Sequence, residues 1–514
     1  MSQQRQPDRR CRQDEAHNGL INSQSKRNGS PCQRDDDSQD AETQICLGAS
    51  LPEDVWCHIH SLMSMRAAAR AACVSRAFLH SWRRHPNLTF NNRTLGLDRN
   101  TYGANESGRG FSSKVDHILK KHSGIGVKKL KIHMPLDYKL KDSCYPDSWL
   151  QFAVTLGIEE LELALPVKAK YNFPYSFFCN GSGDSIRYLL LADCSFHPTS
   201  EVGSLRSLTR LHLCAVSITE DEIGCFISNC YALEQLEIRY CDWIVCLRVP
   251  CMLQRLSYLE VLGCSKLRVI DNKAPNISSF YFGGNPKVQL SLGETLKMKN
   301  LYMSFSGAIR YVCFELPSHM PNLETVTIYS SREMVDTPML HSKYLHLKNL
   351  SIALNAAASY DYLSLVSFFD ACPSLETFVL DASHWKTEHV SIFTYPSDLR
   401  RMQEQHHHRI KNVKILNFSS AKSLVELACH VVEHMTSLEC LTLETYQSTF
   451  RCHVPNHKCI KCSPLAIDIL REAKRALMAI RTYIEPKVPS TVELHVVEPC
   501  SRCHAVELEL PSLG

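Results

Sequence analysis

One six-residue pattern, apolar-x-x-apolar-x-apolar, recurs along the chain. It is read as VKKLKI at 127, IEELEL at 158, IRYLLL at 186, LTRLHL at 208, LEQLEI at 233, LSYLEV at 256, ISSFYF at 277, MKNLYM at 298, LETVTI at 323, LKNLSI at 347, LETFVL at 375, VKILNF at 413 and LECLTL at 438. Successive copies stand 21 to 38 residues apart. The closing apolar-x-apolar of each copy predicts a short strand whose side chains alternate inward and outward. The remainder of each repeat turns back through a helix or loop. Stacking such strands in parallel makes a solenoid.

A different pattern precedes the repeats. LPEDVWCHIHSLMSMRAAARAACVSRAFLHSW, residues 51 to 82, predicts three short helices. Pro52 suits a first helical turn, with Glu53 and Asp54 favourable to its dipole, and Val55, Ile59 and Leu62 or Met63 follow at helical spacing. The alanine-rich stretch from Arg66 to Val74 has high helix propensity, and Ser75 can cap a third helix carrying Phe78, Leu79 and Trp82. Fewer than about 40 residues rarely form a self-sufficient core, so this cluster is expected to dock on a neighbour or a partner. Residues 1–45 are polar and lack an apolar stripe, which predicts a disordered tail.

Near the far end, a helix from Ala421 to about Met435 places Leu424, Leu427 and Val431 on one face, as expected of a cap over the last strands. A further amphipathic helix is predicted over 463–484, marked by Leu465, Ile469, Leu477 and Ile480, with the strand TVELHVV after it.

Composition narrows the classes. Of 514 residues, 44% are apolar and 21% charged, an ordinary globular mix. The 57 basic and 53 acidic side chains give +4, which predicts no chain-wide attraction to nucleic acid or an anionic membrane. Neither a run of about 18 apolar residues nor a signal-like apolar N-terminus occurs, so a cytoplasmic or nuclear location is expected. The 24 cysteines are scattered and are read as reduced thiols.

The front segment resembles an F-box. The family pattern is carried by Leu51, Pro52 and Asp54, then Val55, Ile59, Leu62 and Met63, then Met65, Arg66 and Ala68, then Val74, Ser75 and Arg76, and a late Trp82. An F-box followed by irregular leucine-rich repeats is similar to the large plant family of F-box and leucine-rich-repeat proteins. Residues 406 to 445 resemble that family's FBD-type terminal segment. The expected fold is α/β, a three-helix F-box at 46–90, an irregular leucine-rich-repeat solenoid of parallel strands at 91–400, and FBD-like terminal repeats and cap at 401–514. The resemblance implies a non-enzymatic substrate receptor of a Skp–cullin–F-box ubiquitin ligase. Leu51, Pro52, Val55, Ile59, Leu62, Met65, Val74 and Trp82 would insert into or support the contact with the Skp adaptor, and through it the chain would reach cullin and RING subunits. The solenoid would hold a target protein, with no membrane or nucleic-acid partner. The alternatives are a leucine-rich-repeat scaffold or receptor outside any ligase and, last, a zinc hydrolase using an H-x-x-E-H helix.

Outward positions of the strands offer a recognition surface: Arg210 and His212, Glu237 and Arg239, then Tyr258, Tyr281, Tyr302 and Tyr329, four aromatics expected to form one platform. Two metal patterns are also present. His430-Val-Val-Glu433-His434 is a literal H-x-x-E-H, the spacing of some zinc hydrolases, although a third ligand and a cleft are needed besides. Cys459-x-x-Cys462 and Cys500-x-x-Cys503 could hold a structural zinc, with free or buried thiols as the competing reading. No cofactor is expected, since no phosphate-binding glycine loop or nucleophile elbow occurs.

Overall fold

Alternation of buried and outward side chains along each repeat does produce parallel strands, and one sheet collects them all. In the computed structural model the described residues run from 52 to 500, without 447–464 and several shorter internal stretches. The described residues belong to a compact unit that begins at Pro52. Three helices open it: α1 (Glu53–Leu62), α2 (Met65–Ala72) and α3 (Arg76–Trp82). They lead into β1 (Asn87–Phe90), α4 (Asn92–Leu95), α5 (Ala104–Lys121), β2 (Lys129–His133), α6 (Cys144–Thr155) and β3 (Glu160–Ala164).

The middle of the chain supplies β4 (Asn172–Phe173), β5 (Tyr188–Ala192), β6 (Ser195–Phe196), β7 (Arg210–Cys214), α7 (Glu220–Ser228), β8 (Gln235–Arg239), β9 (Cys246–Val249), β10 (Tyr258–Leu262), β11 (Val269–Asn272), β12 (Ser279–Gly283), β13 (Gln289–Ser291) and β14 (Asn300–Ser304). Then come α8 (Ala308–Phe314), α9 (Leu316–His319), β15 (Thr325–Glu333), β16 (Asn349–Ala356), α10 (Val366–Ala371), β17 (Thr377–His384), β18 (Asn412–Leu416), α11 (Lys422–His434), β19 (Cys440–Glu444), α12 (Ile467–Ala479) and β20 (Glu493–Val497).

Fifteen of these strands form a parallel sheet in the order β1-β2-β3-β5-β7-β8-β10-β12-β14-β15-β16-β17-β18-β19-β20. On the returning side β9, β11 and β13 make a three-stranded sheet, while β4 pairs with β6. Register is continuous along the sheet, with a shift between Ser331 and Glu333 where β15 pairs with β16. Leu236, Leu259, Phe280, Leu301 and Val326 lie side by side on successive strands, and all are buried. Each buried aliphatic or aromatic side chain contributes about 1.5–3 kcal/mol, so the stacked rows supply most of the cohesion. On the returning side, buried Asn272 donates to the carbonyls of Ala274 and Leu292 at 3.1 and 3.0 Å and accepts from the Ala274 N–H, satisfying backbone groups that would otherwise be orphaned.

The chain leaves several strands through a left-handed residue: Asp193, Ala215, Tyr240 and Gly263 follow β5, β7, β8 and β10 with φ of 57°, 51°, 55° and 69°. Their N–H groups extend the ladder by one bond, as in Tyr240 to the Leu262 carbonyl at 2.8 Å. Glycine is needed at 263 on a second ground, because a Cβ there would stand 2.5 Å from the Tyr240 ring.

Three expectations are corrected. The twelfth repeat is IKNVKI at 410–415, three residues earlier than VKILNF: Ile410, Val413 and Ile415 are buried beside Leu375, Phe378 and Leu380, and Leu416 turns outward. The helix α11 is no terminal cap. Ten of its residues are buried, including His430 and His434, because α12 and β20 add a further repeat beyond β19. In α12 the inward stripe is Leu470, Ala473, Ala476, Ala479 and Ile480, whereas Ile469 is exposed. The predicted tail at 1–45 and residues 447–464, within the predicted FBD-like terminal region 401–514, lie outside the described residues.

Candidate functional site

The front helices carry two apolar stripes. Trp56 and His60 of α1 face inward, each against the ring of Phe78 on α3, at 4.9 and 5.2 Å between centroids. Val55, Ile59 and Leu62 lie about 100° round the same helix. The first two are half-buried and Leu62 is 76% exposed. Val74, just past α2, is 81% exposed, and Pro52 is exposed as well. Met65 goes the other way: it is buried, and its sulfur accepts from the Thr89 N–H of β1 at 3.1 Å. Trp82 is partly buried on the core beside His85, so it and Met65 support the helices from beneath. Leu51 lies outside the described residues. Glu53 ties α1 to α3 through His80 and Arg84 at 2.5 and 2.7 Å.

A second surface is the open face of the sheet. Its first part, β2 to β10, is charged but internally neutralised. Glu162 accepts from Lys131 and His133 at 2.6 and 2.9 Å, and these bonds outweigh burial and hold its carboxyl below the usual range. Arg210 lies 3.9 Å from Glu160 and stacks over the Tyr188 ring, 4.5 Å from its centroid. His212 stands 3.5 Å from Glu237, yet burial lowers its pKa. Arg239 bonds Glu260 and Glu237, and Glu260 accepts from the Tyr258 hydroxyl at 2.6 Å.

The four tyrosines do not share one line. Tyr258 is paired in register with Ser279, Tyr281 with Tyr302, and Tyr329 with Ser304. Three rings nevertheless stack in sequence, Tyr258 to Tyr281 at 5.0 Å and Tyr281 to Tyr302 at 5.7 Å. Tyr329 is exposed two positions further along its strand. Period-two alternation places all four outward, but register, which depends on the partner strand, separates the fourth.

The H-x-x-E-H helix is not built as a hydrolase site. His430 and His434 stack at 4.3 Å between centroids inside the repeat, while Glu433 turns to Lys487 at 2.8 Å. Burial, with His434 and His407 nearby, lowers the His430 pKa to about 4. Among the described residues no group of three His, Cys, Asp or Glu side chains could hold a metal ion. Of the two cysteine pairs only Cys500 is described, so the zinc expectation at Cys459, Cys462 and Cys503 lies outside the described residues. Elsewhere Cys194, Cys230, Cys241 and Cys313 are core side chains whose thiols burial pushes up to about 12.

The sequence reading missed the rim. Tyr240 and Trp243, between β8 and β9, are 60% and 58% exposed, and Lys266 sits 4.5 Å above the Trp243 ring. Exposed aromatics in a loop of this kind carry no periodic signal.

Comparison with known proteins agrees with this anatomy. Residues 118–501 match the family described as "At1g61320/AtMIF1, LRR domain" and residues 49–90 match the F-box domain. Similar curated proteins from Arabidopsis thaliana include F-box protein At5g03100, 24% identical over 42% of this chain and 62% of that protein, and putative F-box/LRR-repeat protein At3g18150, 23% identical over 51% and 54%. Putative F-box/LRR-repeat protein At3g59230 is 23% identical over 64% of this chain and 73% of its own length. The chain spans roughly half the length of several curated relatives it matches, for example 45% of putative F-box protein At1g58310. Among solved structures, the crystal structure of a TLR13–ssRNA13 complex aligns at 14% identity with a TM-score of 0.34, covering 66% of this chain and 54% of that one. The APL1 leucine-rich repeat domain aligns at 12% and 0.23, covering 83% and 87%. The repeat stack and the helices in front of it thus lead to one assignment: the chain belongs to the At1g61320/AtMIF1 leucine-rich-repeat family and is a plant-type F-box/leucine-rich-repeat protein.

Proposed function

We propose that the chain is the substrate-recognition subunit of a Skp–cullin–F-box ubiquitin ligase. The carrying observation is the outward apolar stripe of the front helices. Leu62 and Val74 stand in solvent although the helices have already committed Trp56, His60 and Met65 to the interior. Exposed apolar side chains in such a cluster fit a docking face for the Skp adaptor, with Pro52, Val55 and Ile59 contributing and Met65, Trp82 and His85 holding the platform. Cullin and RING subunits are reached through that adaptor.

In this reading the chain makes and breaks no bonds. It raises ubiquitin transfer by holding a target near a charged conjugating enzyme, so its contribution is effective concentration and orientation. The open sheet face would hold the target, with the Tyr258–Tyr281–Tyr302 stack at its centre. Among the described residues no helix is long and apolar enough to cross a membrane, and the reading places the chain in cytoplasm or nucleus. The test is co-purification with a plant Skp adaptor: the wild-type chain should retain it and Leu62→Asp should lose it at unchanged melting temperature. Failure of the wild-type chain to bind would leave a leucine-rich scaffold outside any ligase.

A further inference from the structure

The open face changes character along its length, and the change specifies what it can bind. From β2 to β10 every acidic side chain named above is answered by a basic or phenolic one on the same or a neighbouring strand, Glu160 by Lys129 at 2.9 Å. Along β12, β14, β15 and β16 the three outward rows that these strands share carry no charge; beyond them β15 runs on through a register shift to buried Glu333. The centre row there is Tyr281, Tyr302, Thr327 and Ser351; the row at the strand starts holds only Ser, Asn and Thr, and the row at the strand ends is Gly283, Ser304, Tyr329 and Ala353.

Three details turn this stretch into a track. Gly283 and Ser304 keep its floor low between the tyrosine stack and the strand ends, since a Cβ on Gly283 would meet Leu262 at 2.9 Å and Ser304 at 3.2 Å. The rings of Tyr281 and Tyr302 stack on one another, so they offer edges and hydroxyls rather than open faces. Neither hydroxyl has a hydrogen-bond partner among the described residues, whereas that of Tyr258 is held by Glu260. Tyr329 stands exposed in the third row, between Ser304 and Ala353, and Tyr240 and Trp243 are exposed on the rim after β8.

From these observations, and resting on the substrate-receptor reading, we infer that the β12–β16 face binds an extended, uncharged segment of a target polypeptide with aromatic or aliphatic side chains. Free phenol hydroxyls donate to peptide carbonyls, and Tyr with Ser, Thr and Asn is the composition of surfaces that grip neutral polypeptide with little entropy loss. A phosphorylated or strongly acidic segment would need Arg or Lys on the track, and the three shared outward rows of these strands hold none. A nucleic acid would need a basic groove, and open ring faces for its bases.

The experiment uses the full chain purified with its Skp adaptor and immobilised, and pans a library of random unmodified peptides beside a phosphoserine-containing set and a single-stranded oligonucleotide. The expected result is selection of uncharged peptides rich in aromatic and aliphatic residues, with affinity changing less than about twofold between low and high salt. Tyr281→Ala/Tyr302→Ala should weaken them by about tenfold or more. Tyr281→Phe/Tyr302→Phe, which keeps the ring stack and removes only the hydroxyls, should weaken them by several-fold with an unchanged melting temperature. Selection of phosphorylated, acidic or basic peptides, preferential capture of the oligonucleotide, a steep salt dependence, unchanged binding by the Phe pair, or no selected peptide at all would each overturn the inference. Co-purification of the adaptor with the same variants reads the ligase assignment separately. Loss of peptides with the adaptor retained sinks only the track, and loss of the adaptor with peptides retained sinks only the ligase reading.

Discussion

Individual side chains in this protein are decided by burial more than by chemical type. His430 and His407 show it: both are imidazoles sealed in the repeat, and burial first, neighbouring histidines second, lowers each pKa to about 4. The folded chain therefore binds fewer protons than the unfolded one below pH 6.5, so stability falls as pH drops from about 6.5 towards 4. Each of the two should cost about 1 kcal/mol at about pH 5.5. Thermal melts across that window should show a steady decline, and His430→Phe should flatten it; a melting temperature independent of pH would refute the assignment. The literal H-x-x-E-H at this place shows why a motif is only a spacing. Three residues on one helix share a face in projection, but which of them meets a cavity depends on the neighbours, and here Lys487 draws Glu433 away.

Elements depend on contacts that cross between them. Met65 is buried against β1 while Leu62, three positions earlier, is in solvent. Met65→Ala should cost about 2–4 kcal/mol as a cavity under the front helices, and it should weaken adaptor binding only by loosening them. Leu62→Asp should leave the melting temperature within about one degree and reduce adaptor affinity by more than about tenfold. Calorimetry beside adaptor titration separates the two; equal effects on both readouts would mean that the exposed stripe has no special role. A second crossing contact is Arg400, bidentate to Asp361 at 2.8 and 2.9 Å and bonded to buried Glu426 at 2.6 and 2.9 Å. Arg400→Ala strands the Glu426 carboxylate and should destabilise by about 3 kcal/mol. Lysine should recover only part of it, lacking the planar fork. A variant as stable as wild type would show that water replaces the pair.

Element boundaries were legible where the apolar template was complete. β1 escaped the count because buried His85 takes the first apolar place of H-x-x-L-x-F, bonding the Asn87 N–H at 3.2 Å and lying 3.3 Å from the Met63 carbonyl. The misplaced twelfth repeat arose because Leu416, at the end of β18, mimics an inward residue. Both errors are local: pattern reading ranks residues by apolarity, and the fold ranks them by register.

At the scale of the whole molecule the chain is a one-dimensional stack whose ends need covering. Fifteen parallel strands give two edges; α2 packs against β1 at one end, and β20 is the last strand at the other. Removing everything after residue 446 takes away α12 and β20 and bares the β19 edge together with the buried face of α11. Such a truncation should associate, seen as mass growth in light scattering. A monomeric, fully folded truncation would show that the last repeat is dispensable. The period of the template determined by itself that the chain is a solenoid behind a helical head, because inward leucines every repeat have no other way to leave water together. Which outward residues become neighbours, how the tyrosines divide between stack and rim, and whether a histidine faces a cleft or a core were decided only in three dimensions. Those outcomes depend on register and packing between segments that lie tens of residues apart, and no local pattern encodes that distance.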